Sequence, residues 1–356
     1  MLKKTFSLFL VLLLLCGLFS SCGNKDIGQG ETEDKKKFSA TYLDYFDTVS
    51  VIVGFDTDEE TFNQNCEFIK QQLTEYNNLY DIYKSYEGIN NIRTINQSAG
   101  ISPVKVDAKI IDLLSYCKNV YELTSGKVNV AMGSVLSIWH NYRTRGIDDP
   151  ETASLPTMEE LKKAANHTDF SKILIDTENS TVYLSDKDMS LDVGAIAKGY
   201  ATEQIAKELI EQGVENYTLN IGGNIRTIGT KADGSYWTAA ITNPDTTSDK
   251  ASIMTVKLNG QSFVTSGSYQ RYYVVDGKQY HHIIDNKTLF PKNNFTSVSV
   301  LTNDSGLADA LSTALFNMSY EEGKNLISNL EGVEALWVTD TYEILYSDGF
   351  ANIIVK

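Results

Sequence analysis

DVGAIAKGYATEQIAKELIEQG, residues Asp192–Gly213, is the stretch on which the fold turns. Ala197, Ala201, Ile205, Ala206, Leu209 and Ile210 recur at helical spacing, and Gly213 supplies a stop, so an amphipathic helix is expected. The helix begins in a glycine- and alanine-rich turn and carries Lys198 near its start. A cation there opposes the helix dipole by roughly 0.3–1 kcal/mol. Lys198 therefore either tolerates that penalty at the surface or faces an anion. Neither a GxxxxGK(S/T) phosphate loop nor a GxGxxG fingerprint accompanies it.

Before this helix, Phe46–Phe55 alternates as a half-buried strand, and a helix is expected over Glu59–Leu79. Tyr83–Asn96 is polar and irregular, with short helical turns. A helix over Ala108–Thr124 follows, then a loop after Asp148-Asp149-Pro150, a short helix over Met158–Asn166, and strands near Ile173 and Val182. After it, strand-like segments succeed one another from Tyr217 to Ile284. The helix pair Leu307–Asn317 and Tyr320–Asn329 precedes strands near Ala335 and Ile344. Helices and strands are mixed without strict alternation, so the fold class is α+β, one large domain over residues 38–356 with two lobes around a cleft.

The chain opens MLKKTFSLFLVLLLLCGLFSSC, with two lysines, an apolar run and small residues before a cysteine. Residues 1–21 are read as a signal peptide. Leu18-Phe19-Ser20-Ser21-Cys22 resembles a bacterial lipobox, which makes Cys22 the lipidated N-terminus and residues 22–37 a polar tether. A net charge of −15 without a basic stripe argues against nucleic-acid binding. Cys66 and Cys117 leave a disulfide and two buried thiols both open. With four histidines and no zinc-ligand spacing, a structural zinc site is not expected.

Three further stretches bear chemistry. In LADALSTALF (Leu307–Phe316), Asp309, Ser312 and Thr313 share one helix face. Short oxygen-bearing side chains suit a hard cation such as Mg²⁺, or else a tightly packed helix that bonds its own backbone. NIGGNIRTIG (Asn220–Gly229) reads as a glycine hairpin turn. In TSGSYQRYYVVDGKQYHHIIDNKTLFP (Thr265–Pro291), Asp276-Gly277 pairs Arg271–Val275 with Lys278–Ile284. His281 and His282 then face opposite ways, with Ile284 on the side of His282. A histidine here is either a general base or an ordinary core or surface residue.

Taken in order, DVGAIAKGYATEQIA, NIGGNIRTIG, TSGSYQRYY, HHIID and ADALSTALF resemble the FAD:protein FMN transferases of the ApbE family. FDTVSV, YKSYEGINNIRTIN and NVAMGSVLSIW are similar to that family's N-terminal segments, so the likeness spans residues 38–356. It implies an ApbE-like domain holding FAD in a cleft beside Mg²⁺. It also implies transfer of FMN to a threonine or serine hydroxyl of an acceptor protein, with release of AMP. The implied metal ligands are the Asp309 and Thr313 side chains and the Ala195 carbonyl; Ser312 stands where some relatives carry a second aspartate. The implied FAD contacts are Phe46, Tyr83, Ala131, Met132, Gly133, Asp192, Lys198 and Ile284. Phe46 replaces a common methionine, and Met132 and Ser134 replace valine and proline. His282 matches the catalytic histidine, Lys198 neutralises phosphate charge, and Asp285 completes a His-Ile-x-Asp pattern followed by Asn286 in place of proline. The implied partners are acceptor proteins of extracytoplasmic or membrane redox systems, met at the outer face of the cell membrane. A magnesium-dependent FAD pyrophosphatase yielding FMN and AMP is the nearest rival. A non-catalytic FAD-binding lipoprotein is the next, and a solute-binding lipoprotein the most distant.

Overall fold

Residues 34–356 are described in the computed structural model; residues 1–21, read as a signal peptide, Cys22 and the stretch read as tether up to residue 33 lie outside the described residues. Lys36–Tyr45 is a strand, β1, so the last two residues read as tether belong to the domain. Its partner is β2 (Thr48–Asp56), paired from Lys36↔Asp56 to Tyr45↔Thr48. Phe46 and Asp47, at φ +51° and +54°, are the turn between them. Phe46 thus lies outside the strand expected to begin there. Phe38, Ala40 and Tyr42 pack inward from β1 while the intervening residues face out, and the exposed Lys36 and Lys37 at its start read as tether.

The chain continues through α1 (Glu59–Tyr80), α2 (Ile92–Gln97), β3 (Val104–Lys105), α3 (Ala108–Leu123), α4 (Gly133–Asp148) and α5 (Met158–Ala165). The small strands β4 (Ile173–Asp176) and β5 (Thr181–Leu184) lead into α6 (Ala197–Glu211). Then come β6 (Tyr217–Ile221), β7 (Asn224–Ile228), β8 (Trp237–Thr242), β9 (Ser252–Leu258) and β10 (Ser262–Gly267). The hairpin β11 (Tyr272–Val275) and β12 (Lys278–His281) precedes β13 (Phe295–Thr302), α7 (Ser305–Phe316), α8 (Tyr320–Ser328), β14 (Glu334–Thr339) and β15 (Ile344–Tyr346).

An eight-stranded antiparallel sheet, in the order β1-β2-β6-β7-β10-β13-β14-β15, forms the centre. Alternation sorts its side chains: Val264, Val300 and Trp337 enter the large core with α1, α3, α6 and α7, while Phe263, Leu301 and Leu336 pack on the β8–β9 ribbon and Phe350. A third cluster around Trp139 is built by α4, α5 and the β11–β12 hairpin. The large core and the Trp139 cluster meet between Ala131 and Met132 and again between Ile283 and Ile284. Residues Lys35–Lys356 form one compact unit.

Two local readings are corrected and one left open is decided. Ile210 is 46% exposed, whereas Glu203 is 2% exposed, because α6 turns a charged residue inward to meet Arg226. β12 stops at His281, short of the Ile284 expected, and Ile284 bridges Pro291 in the Trp139 cluster, where Tyr280 also packs. Cys66 and Cys117 are buried free thiols.

Candidate active site

Asp309 lies on α7, whose N-cap Asp304 accepts the Leu307 N–H at 2.9 Å. α6 can approach it because Gly199 has no side chain: a Cβ there would stand 2.2 Å from the Ser305 carbonyl oxygen and 2.5 Å from the Asp309 Cβ. Asp309 Oδ2 accepts from the Gly199 N–H at 2.9 Å, from Asn224 Nδ2 at 2.9 Å and from Lys198 Nζ at 3.4 Å. The lysine at the helix start is thus offset by a carboxylate from the neighbouring helix.

The Gly199 N–H would ordinarily close a helical turn on the Ala195 carbonyl. Diverted to Asp309, it leaves that carbonyl without a backbone partner among the described residues. Asp309 Oδ1 likewise receives no hydrogen bond among them. Thr313 is half-buried one turn further along α7. A carbonyl, a carboxylate and a hydroxyl oxygen fit a hard divalent cation such as Mg²⁺. Ser312 does not join them. It is fully buried, donates to the Asp309 carbonyl at 2.8 Å, and accepts from Ser266 Oγ 2.7 Å away.

A second group surrounds Asp192. Its N–H donates to the Val130 carbonyl at 2.8 Å, and its Oδ1 accepts the Gly194 N–H at 2.9 Å. Burial pushes its pKa up, opposed by the Gly194 N–H, His140, Arg143 and Arg271. Tyr83, half exposed, stands against the His140 ring with centroids 5.0 Å apart. Arg143 Nη2 lies 3.0 Å from His140 Nδ1; a guanidinium only donates, so a neutral His140 carries its proton on Nε2. Burial, then Arg143, pushes the His140 pKa down. Among the described residues, neither Arg143 nor Arg271 has a carboxylate within ion-pair distance.

The adjacent histidines have different surroundings. His281 is buried and uses both nitrogens: Nε2 donates to the Lys292 carbonyl at 2.9 Å, and Nδ1 accepts the Ile283 N–H at 3.2 Å. It is a core histidine. His282 donates its backbone N–H to the Arg271 carbonyl at 3.0 Å, and its Nδ1 stands 3.2 Å from the same oxygen. A carbonyl only accepts, so Nδ1 holds the proton and Nε2 presents a lone pair. Burial, then Arg271 and Arg143, pushes the pKa of His282 down to about 3, so the ring is neutral at pH 7. A neutral imidazole oriented through Nδ1 is set up as a general base.

Asp285 is placed differently. Its Oδ1 accepts the Lys287 and Thr288 N–H groups at 2.7 and 2.9 Å, and its Oδ2 lies 3.3 Å from Lys127 Nζ and 3.6 Å from Lys292 Nζ. Burial opposes its charge, but those N–H groups and Lys127 hold its pKa below the ordinary value. With both oxygens engaged, Asp285 holds the turn after His282.

Of the remaining expected contacts, Ala131, Met132, Gly133 and Ile284 lie at the seam between the large core and the Trp139 cluster, and Phe46 in the β1–β2 turn. Ala131 is fully buried, Met132 bridges Ser190, Gly133 opens α4, and the Ile284 carbonyl accepts Asn317 Nδ2 at 3.3 Å. Phe46, half-buried in its turn, donates its N–H to Asn77 Oδ1 at 2.9 Å. The structure thus joins Lys198 to Asp309 directly and gathers Tyr83 and Asp192 with Arg271, which holds His282. The chain from Asp192 to Lys198 links the two groups; among the described residues no hydrogen bond joins them. Sequence reasoning missed His140, Arg143, Arg271 and Asn224. The His-x-x-Arg spacing on α4 and an asparagine opening a buried strand were the available signals.

The fold is shared with solved proteins. The crystal structure of the ApbE protein from Thermotoga maritima matches with a TM-score of 0.77 at 27% identity, covering 90% of this chain and 100% of that one. The flavin transferase ApbE from Vibrio cholerae matches at 0.73 and 25% identity, covering 90% and 99%. Fold and site together define an α+β protein of the flavin-transferase type. The chain belongs to the ApbE family, whose model matches residues 46–337. A relative named FAD:protein FMN transferase from Klebsiella pneumoniae (strain 342) is 31% identical over 277 residues, 76% of this chain and 83% of that protein. Another of that name, from Treponema pallidum (strain Nichols), is 33% identical over 275 residues, 73% and 74% of the two.

Proposed function

We infer that this protein is an FAD:protein FMN transferase, moving the FMN half of FAD onto a threonine or serine hydroxyl of an acceptor protein and releasing AMP. The observation that carries the site assignment is the bonding of Asp309. Three donors hold one carboxylate oxygen, while its other oxygen and the displaced Ala195 carbonyl have no partner among the described residues. Ala195, Asp309 and Thr313 would hold Mg²⁺, which when bound supplies charge neutralisation at the pyrophosphate. Lys198 adds a second positive charge there. Phe46, Tyr83, Ala131, Met132, Gly133, Asp192 and Ile284 contribute the cradle for FAD.

His282 Nε2 takes the proton of the acceptor hydroxyl. The hydroxyl oxygen bonds to the FMN phosphorus, the bridging P–O bond breaks, and AMP leaves with the bonding electron pair. The apolar export segment and Leu18–Cys22 support a lipoprotein anchored through Cys22 at the extracytoplasmic face of the cell membrane. Acceptors then belong to extracytoplasmic or membrane redox systems. The test is metal dependence: residues 34–356, FAD and an FMN-acceptor domain are mixed with Mg²⁺ or with a chelator. The reading expects a covalent flavin adduct with Mg²⁺ and none with the chelator. FMN and AMP in solution beside unmodified acceptor would favour the pyrophosphatase, and intact FAD a binding lipoprotein.

A further inference from the structure

The hairpin that carries His282 also has an open edge. The closing pair Val275↔Lys278, the pair Tyr273↔Tyr280 and the bond from the His282 N–H to the Arg271 carbonyl fix the alternation of the ladder. By that alternation, the N–H and C=O groups of Tyr272 and Val274 point away from β12. Among the described residues β11 pairs with no other strand. Its side chains alternate too: Tyr273 and Val275 enter the Trp139 cluster, while Tyr272 is 41% and Val274 45% exposed. Among the described residues β12 likewise pairs with no further strand; past its end the chain bridges Ile284 with Pro291 and sets the Lys292 carbonyl against the His281 side chain.

We propose that the acceptor protein docks as an extended segment along the free edge of β11, adding a third strand whose end runs toward His282. This rests on the reading that FMN is transferred to a protein. The place follows from continuity with the site: β11 begins one residue after Arg271, whose carbonyl orients the His282 ring. An unpaired strand edge offers main-chain hydrogen bonds to any extended chain, and exposed alternate side chains select among them. Tyr272 and Val274 present an apolar surface on the face opposite Tyr273 and Val275. The segment that fits therefore turns small or apolar side chains to that face.

The test is Val274→Pro, which removes one outward N–H without touching the buried positions. Its probe is an FMN-acceptor domain that the wild-type enzyme labels, so failure of the transferase reading is detected separately, as absence of wild-type labelling. The acceptor KM is expected to rise by about tenfold or more, with FAD affinity unchanged and Val274→Thr behaving as wild type. An unchanged acceptor KM in Val274→Pro would overturn the proposal. Should Val274→Pro lose FAD binding, Val274→Lys decides: a raised KM supports edge docking and an unchanged one refutes it.

Discussion

His282 and His281 are neighbours of identical chemistry, and only their partners separate them. His281 spends both nitrogens inside the protein, whereas His282 spends one and keeps Nε2. Replacing His282 with glutamine is expected to lower transfer by about 10²-fold or more with FAD still bound. AMP release and flavin fluorescence quenching measure the two separately; unchanged AMP release would remove His282 as the base. Its pKa of about 3 puts any acid limb of kcat/KM that reports His282 well below the ordinary 6.5. A limb centred near 6.5 and absent from His282→Gln would contradict the burial argument. Stability has the matching sign. A folded pKa below the unfolded one means that the unfolded chain takes up the proton first, so the contribution is complete above pH 6.5 and declines as pH falls toward 3. Urea titrations at several pH values should show wild type losing stability relative to His282→Gln across that window, with a constant difference above it.

The α6–α7 pair decides whether Asp309 is positioned at all. Gly199 sets its separation, and Glu203 ties its far end: that buried carboxylate accepts Arg226 Nε at 2.8 Å, Arg226 Nη2 at 3.2 Å and the Ser305 N–H at 2.8 Å. Glu203→Ala would leave a buried guanidinium unpaired, at a cost of about 3–5 kcal/mol in urea unfolding. A loss within experimental error would contradict that role. Gly199→Ala is expected to destabilise by about 1–3 kcal/mol and to depress turnover, because the added methyl group drives α6 off Asp309. Wild-type turnover in that variant would show the close approach to be incidental. Elements with local signals were legible in the sequence. Asp58 caps α1 by accepting the Thr61 N–H at 2.8 Å, and Asp276-Gly277 and Gly222-Gly223 adopt the positive φ values that tight hairpins need. β1 and α4 lacked such signals. The first opens on the exposed Lys36 and Lys37, and the second starts at Met132 with no side-chain cap.

At the scale of the molecule, Ala131 and Met132 stand on either side of the line where the large core meets the Trp139 cluster, and the Asp192 N–H bonds to Val130 beside them. Lys198, Asp309 and His282 were legible because they are chemistry-bearing side chains in ordered motifs. The Ala195 carbonyl was reached only through resemblance, since no side-chain pattern reports a backbone atom. Asn224 and the His140–Arg143 pair were not found, because their meaning arises from placement: Asn224 meets Asp309 across 85 positions of chain. The central claim is that one Asp309-centred site transfers FMN to a protein. Its most direct test is the intact mass of an acceptor domain after incubation with FAD, Mg²⁺ and either wild type or Asp309→Asn. The wild-type enzyme is predicted to add one FMN less water per acceptor, with stoichiometric AMP, and Asp309→Asn, folded to the same circular dichroism spectrum, to add none. Unmodified acceptor beside free FMN, or wild-type labelling by Asp309→Asn, would contradict the account.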